Sequence, residues 1–494
     1  MRPGPWPAVG QLLLALIAGS GAVLAFAPFG FGPLAPLALA VLFHLWRHPA
    51  RPGFNLWTGY AFGLGLMGFG VSWIRISIAQ FGGVVPALAI LITAGFVMFM
   101  ALYFALAGWL GERLRGRSDG LWLAAVLPGV WVLGEWLRGW LFTGFPWLAM
   151  GYSQIDLPSA GFAPVFGVYG VSLVVAVSAG LLNLWRRPAA LLGLVALWAT
   201  GLGLQQVDWG APVGEPFQVS LLQGAIPQEH KWRRSMRAQT LDLYLDMTAE
   251  TRDSRLVIWP ETAAPAFASE VESSLLEPLA AQLQDAGRDV LLGIVDGDRQ
   301  GDYYNAMLSL GASGRDHYYK RHLVPFGEYL PFDAWTRPVL DFLAIPMSDF
   351  AAGGDRKPLV RLAGHPAGVN ICYEDAYAEE VGRALPEAAF LINASNDAWF
   401  GDSLAPHQHL EIARMRALES GRYLLRATNT GVSAFIDERG RLLGTAPQFR
   451  QAILTEDIQP MSGSTPFVRW GNPVVVMLAA LMVLSARVVQ RSGA

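Results

Sequence analysis

Over its first 210 residues the chain carries only 15 charged side chains, and the 284 residues that follow carry 60. A soluble protein holds roughly a quarter of its residues as charges. The front therefore has the composition of something that lives in a bilayer, and the rear that of a globular domain in water. At 494 residues there is room for both, each with its own core.

A helix needs about 20 mostly apolar residues to cross the hydrocarbon layer. Apolar runs at 9–26, 34–46, 56–74, 84–110, 121–141, 165–185, 189–204 and 474–489 give about eight expected spans. Pro28, Pro33 and Pro36 suggest that the first two form a tight hairpin. If spans alternate, Arg2, Arg47, Arg51, Arg113, Arg115, Arg117, Arg186, Arg187, Arg487 and Arg491 fall on one side, which the positive-inside rule makes the cytoplasm. The expected organisation is a seven-span bundle over 1–212, a water-facing domain over 213–465 and a last helix over 466–494. Seven crossings put the domain on the outer face.

Within 213–465 short apolar runs alternate with amphipathic stretches. Strands are expected at 217–223, 256–259, 290–295, 306–310, 367–371, 389–393 and 432–437, and helices at 232–252, 273–286 and 410–420. The pattern reads as a layered α/β domain. No glycine-rich phosphate loop follows the first strand, which disfavours a nucleotide site. A net charge of −3 without a basic stripe disfavours nucleic acid.

There is one cysteine, Cys372, so neither an intrachain disulfide nor a cysteine-based zinc site can form. There are three lysines, Lys231, Lys320 and Lys357, in a chain that otherwise uses arginine. Three chemically capable residues close expected strands: Glu261 in Trp-Pro-Glu, Lys320 in Tyr-Lys-Arg-His-Leu-Val-Pro-Phe-Gly-Glu, and Cys372 in Val-Asn-Ile-Cys-Tyr-Glu. Strand ends are where open α/β sheets place ligands. A thiol attacks a carbonyl as its thiolate, a carboxylate can take its proton, and an ammonium with the N–H of Tyr373 can hold the oxyanion. Alone, each residue has an ordinary structural reading; their coincidence points to acyl chemistry. His407 and His409 form His-Gln-His just ahead of the expected helix, without a third ligand in register, and read as capping or hydrogen-bonding groups. Glu135 and Arg138, three apart in the fifth span, can face each other as a buried structural pair.

Trp-Pro-Glu, the Lys-Arg-His-Leu-Val-Pro-Phe-Gly-Glu-Tyr run and Ile-Cys-Tyr-Glu resemble the three signature segments of the nitrilase superfamily, which has an α-β-β-α sandwich fold and a Glu-Lys-Cys triad. With a helical bundle in front and one helix behind, the whole chain resembles that superfamily's membrane-bound branch, the apolipoprotein N-acyltransferases. The resemblance implies Glu261 as general base, Lys320 as oxyanion stabiliser and Cys372 as nucleophile, with Glu328, Glu374 and Tyr373 as active-site support. It also implies Trp232, Trp399 and Phe400 as lid or substrate-entrance residues. The implied reaction takes an acyl group from a membrane phospholipid through a cysteine thioester to the α-amine of a diacylglyceryl apolipoprotein. The implied setting is the periplasmic face of the bacterial inner membrane, in contact with the bilayer; a monomer is the default expectation, and no cofactor, metal or nucleic acid is expected. The alternatives are a membrane-tethered amidohydrolase of the same fold and, more distantly, a transporter or receptor with an external binding domain.

Overall fold

The structure is a computed structural model that describes residues 6–297, 301–342 and 349–491. It divides into two compact units. The first holds Met1–Arg75, Val85–Val207 and Arg469–Ala494; the second holds Ile76–Val84 and Asp208–Val468.

The first unit is helical. Ala8–Ala25, Pro86–Arg113, Asp119–Thr143 and Pro158–Leu182 are long and apolar enough to cross a membrane. Asn55–Gly70 and Ile74–Phe81 meet the same criterion only jointly, as a pair bent at a break. The expectation of eight spans is therefore corrected to four, or five with the bent pair, among the described residues. Leu34–Arg47, at 14 residues, and Pro188–Leu204, at 17, are apolar but short. At about 1.5 Å per residue they reach roughly 21 and 26 Å against a hydrocarbon layer of about 30 Å. Each helix fills its expected apolar run, Leu34–Arg47 against 34–46 and Pro188–Leu204 against 189–204, so it is the run itself that is short. The last helix is apolar over Asn472–Ser485.

Glu135 and Arg138 are buried in this unit, and their hydrogen bonds given by the structure go to other groups and not to each other. Arg138 Nη1 donates to the oxygens of Phe145, at 2.8 Å, and Trp147, at 2.5 Å. Glu135 Oε1 accepts from Trp131 Nε1 at 2.8 Å and from the Met150 N–H at 2.9 Å. The two charges thus satisfy a non-helical stretch, where unmet backbone groups would be costly in an apolar setting.

The second unit is built on two six-stranded sheets. One runs in the order Ala452–Ile458, Phe217–Gln223, Leu256–Ile258, Asp289–Gly297, Tyr303–Gly311, Asp316–Tyr319. The other runs Leu442–Thr445, Ala434–Ile436, Leu424–Thr428, Phe390–Ser395, His365–Ile371, Leu359–Leu362. In each sheet three neighbouring strands are parallel and the flanking ones antiparallel. Period-two alternation sends Val219, Leu221, Ile258 and Leu291 of the first sheet against Val369, Ile371, Ile392 and Leu425 of the second, forming the core between them. The opposite face of the first sheet, with Val257, Val290 and Leu292, packs on Tyr244, Met247, Leu279 and Leu283 from Arg234–Glu250 and Glu277–Asp285. That of the second, with Leu391 and Leu424, packs on Leu410, Ala413 and Ala417 of Ala405–Ser420. The result is an α-β-β-α sandwich.

The seven expected strands are present, with shifted ends, and several others accompany them. The helix expected at 410–420 begins at Ala405, so His407 and His409 lie inside it and do not cap it.

Candidate active site

Each of the three residues singled out in the sequence leaves the end of a strand. His365–Ile371 gives way at Cys372 to a short 3-10 turn, Cys372–Ala376, and Cys372 itself sits at φ 53°. A left-handed conformation at a non-glycine residue costs about 1–3 kcal/mol and persists only where its surroundings enforce it. Here they do. The Cys372 carbonyl accepts from Asn393 Nδ2 at 3.0 Å and from His409 Nε2 at 3.3 Å.

Glu374 secures the other side of this turn. Its carboxylate accepts from the N–H groups of Ile371 at 2.7 Å, Arg321 at 2.7 Å and His322 at 3.1 Å, and from the Tyr318 hydroxyl at 2.8 Å. It thereby ties the cysteine loop to the loop that follows Lys320. Burial pushes the Glu374 carboxyl up to about 7, against the pull of those backbone donors.

Glu261 follows Leu256–Ile258, next to Thr262 at φ 46°. Its loop lies so close to the neighbouring strand that only glycine fits there: a Cβ on Gly293 would meet Pro260 O at 2.3 Å and Thr262 N at 2.4 Å. Lys320 follows Asp316–Tyr319 and is buried. Its Nζ donates to Glu328 Oε1 at 2.8 Å and stands 3.5 Å from Glu261 Oε1. Asn305 Nδ2 bridges the two carboxylates, at 2.7 Å from Glu261 Oε1 and 3.1 Å from Glu328 Oε1. Glu328 Oε2 also accepts the Val324 N–H at 2.8 Å.

The electrostatics define the resting state. Burial works against the Lys320 ammonium, but Glu328 and Glu261 outweigh it and hold its pKa above the ordinary lysine value, so it stays charged. Burial, then the facing Glu261 carboxylate, push the Cys372 thiol far above its usual range, and Lys320 only partly offsets them. Cys372 therefore rests as a thiol. A thiol of this kind must lose its proton as it attacks, which makes an adjacent carboxylate base necessary.

Beneath the cysteine turn lies a second buried group of charges. His409 Nδ1 is 3.0 Å from Asp397 Oδ1 and its Nε2 is 2.8 Å from Asp375 Oδ1. Arg426 reaches Asp397 Oδ2 at 2.8 Å, Asp375 Oδ2 at 3.5 Å and Asn393 Oδ1 at 2.5 Å. Burial and Arg426 oppose the imidazolium, yet the two aspartates prevail and bring His409 up to about 9. Asp397 is held well below the carboxylate range, since Arg426 and His409 overcome its burial.

Of the expected lid residues, Trp232 and Trp399 are 51% and 37% exposed, and Phe400 is partly buried, so neither tryptophan is core. The Trp399 ring packs edge-on against Phe81, 4.9 Å between centroids. The Tyr373 hydroxyl accepts from Tyr377 at 2.5 Å. Sequence reading missed Asn305, the aspartate-histidine-arginine group and the placement of Lys231, whose buried Nζ donates to Glu261 O at 3.1 Å. Lys231 had left a trace in the sequence as one of three lysines, and His409 as part of His-Gln-His, where a hydrogen-bonding role was expected without its aspartate partners.

Known protein families match both parts of the chain. Residues 18–181 match the family described as the apolipoprotein N-acyltransferase N-terminal domain, and residues 218–467 match carbon-nitrogen hydrolase. The apolipoprotein N-acyltransferase of Methylococcus capsulatus is 50% identical over 480 residues, covering 95% of each chain. That of Nitrosomonas europaea is 45% identical, covering 98% of each. Among solved structures, an amidase from Nesterenkonia sp. AN1 aligns with 50% of this chain and 92% of its own at 16% identity and a TM-score of 0.37, too slight a likeness to add weight. On the strength of near-full-length identity and both domain matches, this chain belongs to the apolipoprotein N-acyltransferase family.

Proposed function

We propose that the protein transfers a fatty acyl group from a membrane phospholipid to the α-amine of the N-terminal diacylglyceryl-cysteine of an apolipoprotein, in two steps through Cys372. In the first, Glu261 takes the thiol proton as sulfur attacks the ester carbonyl. Lys320 and the Tyr373 N–H hold the oxyanion. The lysophospholipid alcohol leaves with the proton returned by Glu261, and a thioester remains. In the second, the neutral amine attacks the thioester, Glu261 relays its proton to the departing sulfur, and the amide product leaves.

The observation that carries this reading is the convergence of the chain's one cysteine with Glu261 and Lys320, whose charges both act on its thiol. Glu328 and Asn305 fix Lys320 and Glu261 relative to one another, and Glu374 fixes the turn that bears the sulfur. Half-exposed Trp232 and Trp399 suit an entrance for acyl chains that also limits water during the thioester's lifetime. The arginine distribution supports a catalytic domain on the periplasmic face of the inner membrane, where both lipid-anchored substrates arrive by lateral diffusion. The three-part division at residues 212 and 465, and a monomeric state, complete the reading.

The test is transfer in detergent from an acyl-labelled phospholipid to a synthetic diacylglyceryl-cysteine peptide, followed by mass spectrometry. Wild type is expected to add one acyl group to the peptide amine, and Cys372→Ser to add none. Hydrolysis of small amides without transfer to the peptide would replace this reading with that of an amidohydrolase.

A further inference from the structure

Lys231 is 2% exposed, at the end of the short helix Gln228–Lys231 and directly before Trp232. Buried lysines are normally matched by a carboxylate. Among the described residues this one makes no ion pair within 4 Å; its Nζ donates instead to the main-chain oxygen of Glu261 at 3.1 Å. An ammonium has three donors, so a single carbonyl leaves it under-satisfied. The groups that act on its charge are Glu261 and Cys372, the proposed base and nucleophile. Burial brings it down to about 8, those two groups opposing the fall, so it is mostly charged at neutral pH.

We infer that Lys231 is a positioning residue of the acyl-transfer centre, holding Glu261 in place through its main-chain oxygen and supplying a second positive charge that eases ionisation of the Cys372 thiol. The same helix is fixed from its other end, where Asn396 Nδ2 donates to Gln228 Oε1 at 2.8 Å and Asn429 Nδ2 to Asn396 Oδ1 at 3.2 Å. The lysine is thus set in a buried framework and not on a mobile arm. Lys320 meets the carboxylates of Glu261 and Glu328, while Lys231 meets Glu261 through its main-chain oxygen. The inference rests on the thiol chemistry proposed above.

Because Cys372 is the only cysteine, alkylation of the full-length protein by iodoacetamide reads this thiol alone. The charged groups acting on the thiol are Glu261, Lys320 and Asp397, to which Lys231 is added. In Lys231→Met the alkylation rate at pH 7.5 is expected to fall about tenfold and its pH midpoint to rise by about one unit, the effect of removing one nearby opposite charge. Lys231→Arg should recover most of the rate. If Lys231→Met does not fold, Lys231→Gln keeps a donor for the Glu261 oxygen and removes only the charge, and the same loss is expected. A lysine with a purely structural role would lower the melting temperature and leave the pH midpoint unmoved, and that result overturns the inference. Failure of the acyl-transfer reading would appear separately, as a wild-type enzyme that alkylates normally and transfers no acyl group.

Discussion

Lys320 donates to Glu328 at 2.8 Å while standing 3.5 Å from Glu261, so the ammonium is held mainly by Glu328. In the proposed mechanism this asymmetry leaves Glu261 free to act as the base. In Glu328→Gln the ammonium loses its nearer counter-charge and is free to pair fully with Glu261. Transfer activity should fall on the order of a hundredfold, as when an oxyanion-stabilising group is misplaced. Steady-state transfer in detergent checks this. Wild-type turnover in the variant would show that Glu328 does not position Lys320.

Gly293 makes a second, purely steric demand. A Cβ there would meet backbone atoms of Pro260 and Thr262 at 2.3 and 2.4 Å, which cannot rotate away. Gly293→Ala should displace the Glu261 loop and cost at least tenfold in activity, a misplacement effect. Gly354→Ala is the control, since nothing lies within 4 Å of its Cβ. Equal activities in the two variants would remove the claim that the Glu261 backbone needs this close approach.

The legible part of the candidate site was its three central residues, because Glu261, Lys320 and Cys372 each close a strand with a recognisable run of neighbours. The supporting structure was less legible. The parallel strand Leu424–Thr428 escaped the period-two pattern because Arg426 interrupts an apolar run, and its burial makes sense only once Asp397 and Asn393 are placed beside it. Those partners are about 30 residues away along the chain, with no local signal linking them. Lys231 could be noticed for its rarity, but its proximity to Glu261 depends on how Gln228–Lys231 folds back over the sheet. The span count failed for a different reason. The run 34–46 is marked correctly and the helix Leu34–Arg47 fills it, but it was counted as a span although its length falls short of a crossing.

His409 gives the fold a pH dependence. Its value in the folded protein, about 9, lies above the unfolded value of 6.5. A group raised on folding contributes fully below its unfolded pKa and loses that contribution as pH rises through the folded one. The loss should therefore run from about pH 6.5 to about 9, with a size on the order of 3 kcal/mol. Thermal unfolding across this window should show a falling midpoint in wild type and a flatter profile in His409→Gln. The same slope in both proteins would mean that the imidazolium between Asp375 and Asp397 is not the titrating group.

Asp397 connects that cluster to the turn bearing Trp399, and Gly431 packs against its carboxylate, where a Cβ would meet Oδ2 at 2.3 Å. Asp397→Asn leaves Arg426 and His409 with one carboxylate fewer, and breaking a buried pair in this way costs about 3–5 kcal/mol. Its unfolding midpoint should drop well below that of Asp402→Asn, a substitution outside the cluster. Similar midpoints would show that the buried charges contribute little to the stability of the nucleophile turn.

The most direct measurement is intact-protein mass spectrometry after incubation with phospholipid and no acceptor, comparing wild type with Cys372→Ala. The expected result is a mass increase of one fatty acyl group in wild type, removed by hydroxylamine and absent from the variant. An acyl adduct that persists in Cys372→Ala, or no adduct in a wild-type preparation that turns over when acceptor is added, would contradict a thioester on Cys372.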